Sequence, residues 1–318
     1  MYSEKEARDL VIEAGYKLLD NKLIARTWGN ISARISDEEF VITPSGKAYD
    51  NLKPEDLVII KIKDCSYESD IKPSSEKSIH AAVYNLRSDI NFVIHTHQYF
   101  ASAVAADRRD TEFAPCAVYA LPGTKKLRRN VEEKIKGYPD KKTFLLANHG
   151  TIVLGKDFRE AFELAEELEN KCEELVNQRI PSTDAIRNEE IDLNKINTGY
   201  TYALIQQDKY IEECCRTGLD LRAYVDDYAQ IVGHDAKCCD INISAIEKAA
   251  KGRNAVLIKG VGALCFADNE DDADAVAMIV SKNCAAACYI RNGKPLGKID
   301  SLLQRYVYLN KYSKQKDA

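Results

Sequence analysis

The 318-residue chain is short of several things, and each shortage removes a class of protein. Basic residues are not in excess. Lys and Arg total 45 against 50 Asp and Glu, a formal charge of -5, whereas a general nucleic-acid binder carries a basic surplus. No unbroken run of about 18 apolar residues occurs, so no segment is expected to span a membrane. The opening MYSEKEARDL is charged and lacks the apolar core and small-residue cleavage site of a signal peptide. Cysteine is plentiful, with ten residues, but there is no C-x-x-C and two of the pairs are adjacent, Cys214/Cys215 and Cys238/Cys239. The expectation is reduced thiols in a cytoplasm rather than a disulfide framework. Cys284 and Cys288, four apart on an expected helix, fit buried small hydrophobes better than a shared metal.

What is present is enough for a folded core. Hydrophobic residues make up 45% of the chain and charged residues 30%, and the length suits about two domains of about 100–200 residues each. Ala7, Leu10, Val11, Ala14, Leu18 and Leu19 form one helical face, and Ser3 with Glu6 reads as a capping box. Short strands are expected at Phe40–Thr43 and Leu57–Ile62, separated by turn residues that include Pro44-Ser45-Gly46. A helix is expected to start at Ser74-Ser75 and to feed a strand, Asn91–Thr96. A further apolar run, Phe144–Ala147, precedes a long amphipathic helix over Asp157–Asn177. Mixed strands and helices throughout point to an α/β architecture. The polar segment Arg179–Glu190 interrupts the pattern and marks a linker.

One internal similarity bears on the second part. TFLLANHGTIVLGKDFREAFELAEELENKC, ending at Cys172, lines up with AVLIKGVGALCFADNEDDADAVAMIVSKNC, ending at Cys284: strand, Gly turn, strand, acidic helix start, long helix. A shorter echo pairs SDINFVIHTH (Ser88–His97) with DDYAQIVGHD (Asp226–Asp235). The second part therefore reads as a diverged, shortened copy of the first.

Of five histidines, three stand where chemistry is plausible. His95 and His97 end an apolar strand as His-Thr-His, so two-residue alternation points both to one face. His149 lies in Asn148-His149-Gly150, between two apolar strands. Three imidazoles converging from strand ends make an open, catalytic-type zinc site, although a hydrogen-bonded histidine pair explains H-x-H alone. Glu76 stands at a helix start in Pro73-Ser74-Ser75-Glu76, where free N–H groups gather anions. Its carboxylate either enters the same cavity or simply favours the helix dipole. Gly29-Asn30 and Ser45-Gly46 are further small polar turns. His80, four residues after Glu76, reads as a packed or hydrogen-bonded side chain. The acidic run Asp268–Asp274 reads as a solvated helix start, and the basic clusters Lys125-Lys126, Arg128-Arg129 and Lys141-Lys142 as surface charge.

The order of these pieces resembles the class II aldolase/adducin family. Trp28-Gly29-Asn30-Ile31-Ser32, Ile42-Thr43-Pro44-Ser45-Gly46, Pro73-Ser74-Ser75-Glu76, His95-Thr96-His97 and Asn148-His149-Gly150 follow one another in the family's sequence across roughly the first 180 residues. The resemblance implies α/β/α layers with a largely antiparallel central sheet. It makes His95, His97 and His149 the ligands of a zinc ion, or of another divalent transition metal. It makes Glu76 the catalytic carboxylate, and Gly29, Asn30, Ser45, Gly46, Ser74 and Ser75 the loops that hold a substrate phosphate. A Glu after the Ser-Ser pair is more similar to the family's aldolases than to its 4-epimerase. The stretch between His97 and Pro122-Gly123-Thr124 is shorter than in the family's aldolases, where it carries a catalytic tyrosine that has no match here. Tyr99 and Tyr119 are out of register, so the partner acid is unassigned.

The resemblance thus implies a sugar-phosphate aldolase that cleaves a ketose 1-phosphate to dihydroxyacetone phosphate and an aldehyde through a metal-stabilised enediolate. Epimerisation, decarboxylation or dehydration on the same site, and a non-catalytic adducin-like scaffold, are the alternatives. The expected organisation is a catalytic domain at 1–180, a linker at 181–194 and a degenerate module at 195–318 without metal ligands. A small phosphorylated sugar is the expected partner, with no nucleic acid and no membrane, and the protein is expected to be a cytoplasmic homo-oligomer.

Overall fold

The computed structural model describes residues 1–24, 26–180, 191–291 and 293–312, in two compact units, Met1–Cys172 and Glu173–Lys314. Most of the linker expected at 181–194 lies outside the described residues. The unit boundary falls inside a helix rather than after it.

The first unit opens with α1 (Glu4–Asp20). The Ser3 hydroxyl accepts from the Glu6 amide while the Glu6 carboxylate accepts from the Ser3 amide, the expected capping box. Then follow β1 (Asn30–Arg34), β2 (Glu39–Ile42), β3 (Val58–Lys61), α2 (Lys77–Leu86), β4 (Phe92–Thr96), α3 (Tyr99–Ala105), β5 (Cys116–Ala117), α4 (Lys125–Gly137), β6 (Thr143–Leu146), β7 (Gly150–Gly155) and α5 (Phe158–Gln178). The sheet order is β3-β2-β1-β4-β7-β6-β5, antiparallel throughout except between β5 and β6.

Strand alternation explains the layers. Phe40, Ile42, Val93, Phe144, Leu146 and Ile152 join α2 and α4 in one core. Their neighbours Val41, Phe92, Ile94, Leu145 and Val153 point the other way and are also buried. On that face α1 packs on β1 and β2, and α3 on β6 and β7. Both faces of the sheet are covered, as α/β/α layering requires.

One boundary departs from expectation. α2 begins at Lys77, not at Ser74-Ser75, and Glu76 is its N-cap without using its side chain as a cap. An isolated bridge between Pro44 and Pro73 and the hydrogen bond from the Ser74 amide to Thr43 O hold this segment beside another loop. The helix starts only once the chain has left that pairing.

The second unit contains β8 (Tyr202–Gln206), α6 (Lys209–Thr217), β9 (Leu221–Arg222), α7 (Asp226–Ile231), β10 (Asp235–Cys239), α8 (Ile243–Ala250), β11 (Ala255–Ile258), β12 (Gly262–Ala267), α9 (Glu270–Ile290) and α10 (Lys298–Val307). Its sheet runs β8-β12-β11-β10-β9. β8–β12 and β12–β11 are antiparallel and β11–β10 is parallel, the same sequence of pairings as β4-β7-β6-β5. The longer internal similarity therefore coincides with matching connectivity. The shorter echo does not: Asp226–Ile231 is helical, and the place of β4 is taken by β8. In this register Thr96 pairs with Thr151 and Gln206 with Ala263, so His95 and His97 fall opposite Ile205 and Gln207, not opposite Gly233 and Asp235.

The acidic run at Asp268–Asp274 is the start of α9, capped by Asn269, whose side chain accepts from the Asp272 amide. Among the described residues α9 is the one helix long and apolar enough to cross a membrane, even though Ser281, Lys282 and Asn283 interrupt its apolar run. Its most apolar window is 83% buried, as in a core helix, and it packs on β12, β8 and β11. All ten thiols are free, and Cys284 and Cys288 are buried.

Gly150 opens β7 against the end of β4. A Cβ there would lie 2.3 Å from the Thr96 carbonyl oxygen, and backbone cannot yield as a side-chain tip does. Gly150→Ala is expected to destabilise the first unit by about 1–3 kcal/mol. Urea unfolding checks this, and an unchanged midpoint would refute the packing account.

Candidate metal centre

The site is assembled by the middle of the sheet. β4 carries His95, the chain leaves the strand through His97, and the turn between β6 and β7 carries His149. Pairing of β4 with β7 (His95 opposite Ile152, Thr96 opposite Thr151) sets that turn beside the end of β4. Asn148, at φ 57°, turns the chain sharply enough to aim His149 inward. The three rings lie 4.6–5.0 Å apart centre to centre, and one ligand nitrogen from each falls within 4.8 Å of the others.

Glu76 completes the cluster. Its Oε2 is 3.0 Å from His95 Nε2, and its Oε1 is 3.1 Å from His149 Nε2. Burial alone would push this carboxyl's pKa up. The two imidazoles and their hydrogen bonds outweigh it and hold the group well below the ordinary carboxylate range, so it is ionised.

The histidines fit a cation. His95 Nδ1 lies 2.7 Å from the Thr151 carbonyl, an acceptor, so Nδ1 carries a proton and donates. That leaves Nε2 of His95 turned toward the Glu76 carboxylate, 3.0 Å away, and toward His97 Nε2, 3.2 Å away. A proton on the imidazoles or a metal ion among them supplies the positive charge that a buried carboxylate requires. This donor set, three imidazole nitrogens and a carboxylate around one point, suits a divalent transition metal.

Behind Glu76 runs a buried chain of hydrogen bonds. Asn30 Nδ2 donates to Glu76 Oε2 at 3.1 Å, and Asn30 Oδ1 accepts from His80 Nε2 at 2.5 Å. With Nε2 donating, His80 Nδ1 accepts from the Ser32 hydroxyl at 2.6 Å, and Ser32 in turn lies 2.8 Å from the Tyr84 hydroxyl. Burial, and then the nearby His95, push His80 down to about 3, so it is neutral. The sequence pointed to His80 as packed or hydrogen-bonded, which agrees. It gave no sign that Ser32 and Tyr84 continue the chain, because the link joins strand β1 to helix α2 across dozens of residues.

The remaining candidate residues form the surrounding loops. Gly29, at φ 86°, lies so close to β4 that a Cβ would be 2.5 Å from His95 O. Ser45 donates its amide to Lys72 O and Ser74 its amide to Thr43 O, which sets the Ser45-Gly46 and Ser74-Ser75 loops side by side. Gly123 stands against Ser75, its added Cβ 3.6 Å from that of the serine. Asn30 is different: its side chain is 5% exposed and committed to Glu76 and His80. The basic clusters are surface charge, with Arg128 pairing with Glu132 and Lys142 with Glu160.

Over residues 9–176 the sequence matches the family described as Class II Aldolase and Adducin N-terminal domain. The chain belongs to that family. A 5-deoxy-D-ribulose 1-phosphate aldolase of Bacillus thuringiensis serovar kurstaki is 36% identical over 181 residues, 53% of this chain and 83% of that protein. A 3-oxo-tetronate 4-phosphate decarboxylase of Haemophilus influenzae is 28% identical over 179 residues, 51% of this chain and 83% of that protein. The solved structure of an L-fuculose 1-phosphate aldolase matches with a TM-score of 0.51 and 29% identity, covering 55% of this chain and 86% of its own. The class II aldolase match ends at residue 176, close to the end of the first unit.

The His80 environment yields a pH prediction for this family member. A buried imidazole pushed below its ordinary 6.5 contributes stability that is complete above that value and is lost as pH falls toward about 3. At pH 5, about 1.5 units below 6.5 at about 1.4 kcal/mol per unit, the loss amounts to about 2 kcal/mol. His80→Gln keeps both hydrogen bonds without titrating. Between pH 7 and pH 5 it is expected to lose about 2 kcal/mol less stability than the wild type in urea melts. Parallel losses would contradict the assignment.

Proposed function

We propose that this chain is a zinc-dependent aldolase that cleaves a ketose 1-phosphate into dihydroxyacetone phosphate and an aldehyde. The observation that carries the proposal is the buried, ionised Glu76 within 3.0 and 3.1 Å of two of three convergent imidazoles. A scaffold has no chemical need for that combination, and it is costly to bury. The aldolase named among the relatives supports the reaction class.

His95, His97 and His149 hold the metal in this reading. A metal with three neutral ligands supplies Lewis-acid stabilisation of the negative charge that cleavage places on the substrate's oxygens. Zinc suits three histidines with a position left open, and manganese, cobalt or iron are the other fits. Glu76, ionised and fixed by the Asn30 amide, moves the proton at the carbon that cleavage releases. Gly29, Ser45, Gly46, Ser74 and Ser75 present small side chains and backbone to the phosphate, which orients the reacting carbons. Asn30 faces Glu76 and acts in this scheme by orienting the carboxylate.

We infer as well that the second unit is a diverged copy of the first that has lost the metal site. Its pairing order supports this, and so does a helix start. In α3 the Phe100 and Ala101 amides donate to Glu169 of α5. In α6 the corresponding amides of Tyr210 and Ile211 donate to Asp208, to which Ser281, aligned with Glu169, donates its hydroxyl. The three positions opposite the ligands are Ile205, Gln207 and Val261, none of which binds a metal.

Decarboxylation on the same centre is the second reading, favoured by the decarboxylase relative. Products separate the two. Incubation with 5-deoxyribulose 1-phosphate and L-fuculose 1-phosphate is expected to release dihydroxyacetone phosphate. Carbon dioxide from a 3-oxo acid phosphate, with no cleavage of ketose 1-phosphates, would favour the decarboxylase. Glu76→Gln is expected to lower kcat by about 10²–10⁴ while retaining metal. His149→Ala is expected to abolish turnover without unfolding the protein, and normal turnover by either variant would overturn the site.

A further inference from the structure

The second unit contains a cavity of about 390 Å³ between α6, the end of α9, strand β9 and residues 179–180. Four of the side chains around it are arginines: Arg179, Arg216, Arg222 and Arg291. Only two carboxylates share the lining, and both are engaged. Glu213 pairs with Arg216 at 2.6 Å, and Asp220 pairs with Lys237 at 2.5 Å.

The other three arginines have no carboxylate partner among the described residues. Arg179 stacks 4.1 Å over the Tyr289 ring and donates to the Tyr289 carbonyl, and Arg291 donates to the Arg179 carbonyl. These contacts place the guanidiniums without neutralising them. Arg222 is half-buried, and its Nε is shut off from solvent without a hydrogen-bond partner. An unpaired buried donor on a permanent cation, in a ring of like charges, is unfavourable by itself and favours an anion that joins them. The floor is of another kind: Leu221, Cys214, Cys288 and Ala287 are apolar, and Tyr224 contributes a half-buried ring.

We propose that this cavity binds a small organic phosphate. Planar guanidinium forks match the oxygens of a phosphate group two at a time, three uncompensated charges suit a dianion, and the apolar floor accepts a short carbon body. The volume accommodates a phosphate with a short carbon body. All of these residues belong to the second unit, and none takes part in the metal centre.

Calorimetric titration of the full-length protein with glycerol 3-phosphate tests it, with inorganic phosphate and malonate as comparison probes. The variants are Arg222→Gln and, because Arg216 is exposed and its loss cannot unfold the chain, Arg216→Gln. The wild type is expected to bind glycerol 3-phosphate at this site, and each variant is expected to weaken that binding by about tenfold or more, with metal content unchanged. If the metal centre also takes the probe, Arg222→Gln reduces two binding events to one. If the aldolase reading is wrong, it reduces one to none, so the two proposals fail separately. Equal binding by wild type and both variants, or no binding by wild type, overturns the site. Malonate or inorganic phosphate binding as tightly as glycerol 3-phosphate overturns the assignment to an organic phosphate.

Discussion

A carboxylate buried between two imidazoles constrains nearly everything around it. An ionised Glu76 at 6% exposure is tolerable only if positive charge or strong donors meet both of its oxygens. One oxygen faces His95 and the Asn30 amide, and the other faces His149. Those partners come from β1, β4 and the β6–β7 turn, so the register of the central strands is a condition of the site.

Small residues permit that convergence. Gly29 and Gly150 both approach the backbone at the end of β4 more closely than any side chain allows. The site is thus built by backbone packing as much as by its polar groups. The hydrogen bond from His95 to Thr151 O and the chain through Asn30, His80, Ser32 and Tyr84 then fix ring and carboxylate orientation. All of these groups lie on regular elements or next to them, which limits the freedom left to the three imidazoles and the carboxylate.

Much of this was legible in the sequence because it is local or periodic. The capping box at Ser3, the alternation that aims His95 and His97 to one side, and the strand–turn–helix around His149 each depend on neighbours within a few residues. What escaped depends on distant residues or on geometry that mimics something else. Ser74-Ser75-Glu76 has the composition of a helix start, yet the pairing of Pro44 with Pro73 delays it. Asn30 reads as a turn residue, but its side chain acts 46 positions away, on Glu76. The Ser88–His97 echo failed for a related reason. Apolar residues before a histidine look alike in a strand and in α7, and only pairing partners distinguish β8 as the counterpart of β4. The three uncompensated arginines of the second unit gave no sign either, since they lie far apart in the chain and meet only on folding.

In the proposed reading three imidazoles and Glu76 form one metal site, and the second unit forms none. Metal stoichiometry on full-length protein purified without chelator or affinity tag tests it most directly. About one zinc per chain is expected, lost in His95→Ala. Two metals per chain would contradict the reading of the second unit, and none, after zinc has been supplied, would contradict the centre itself.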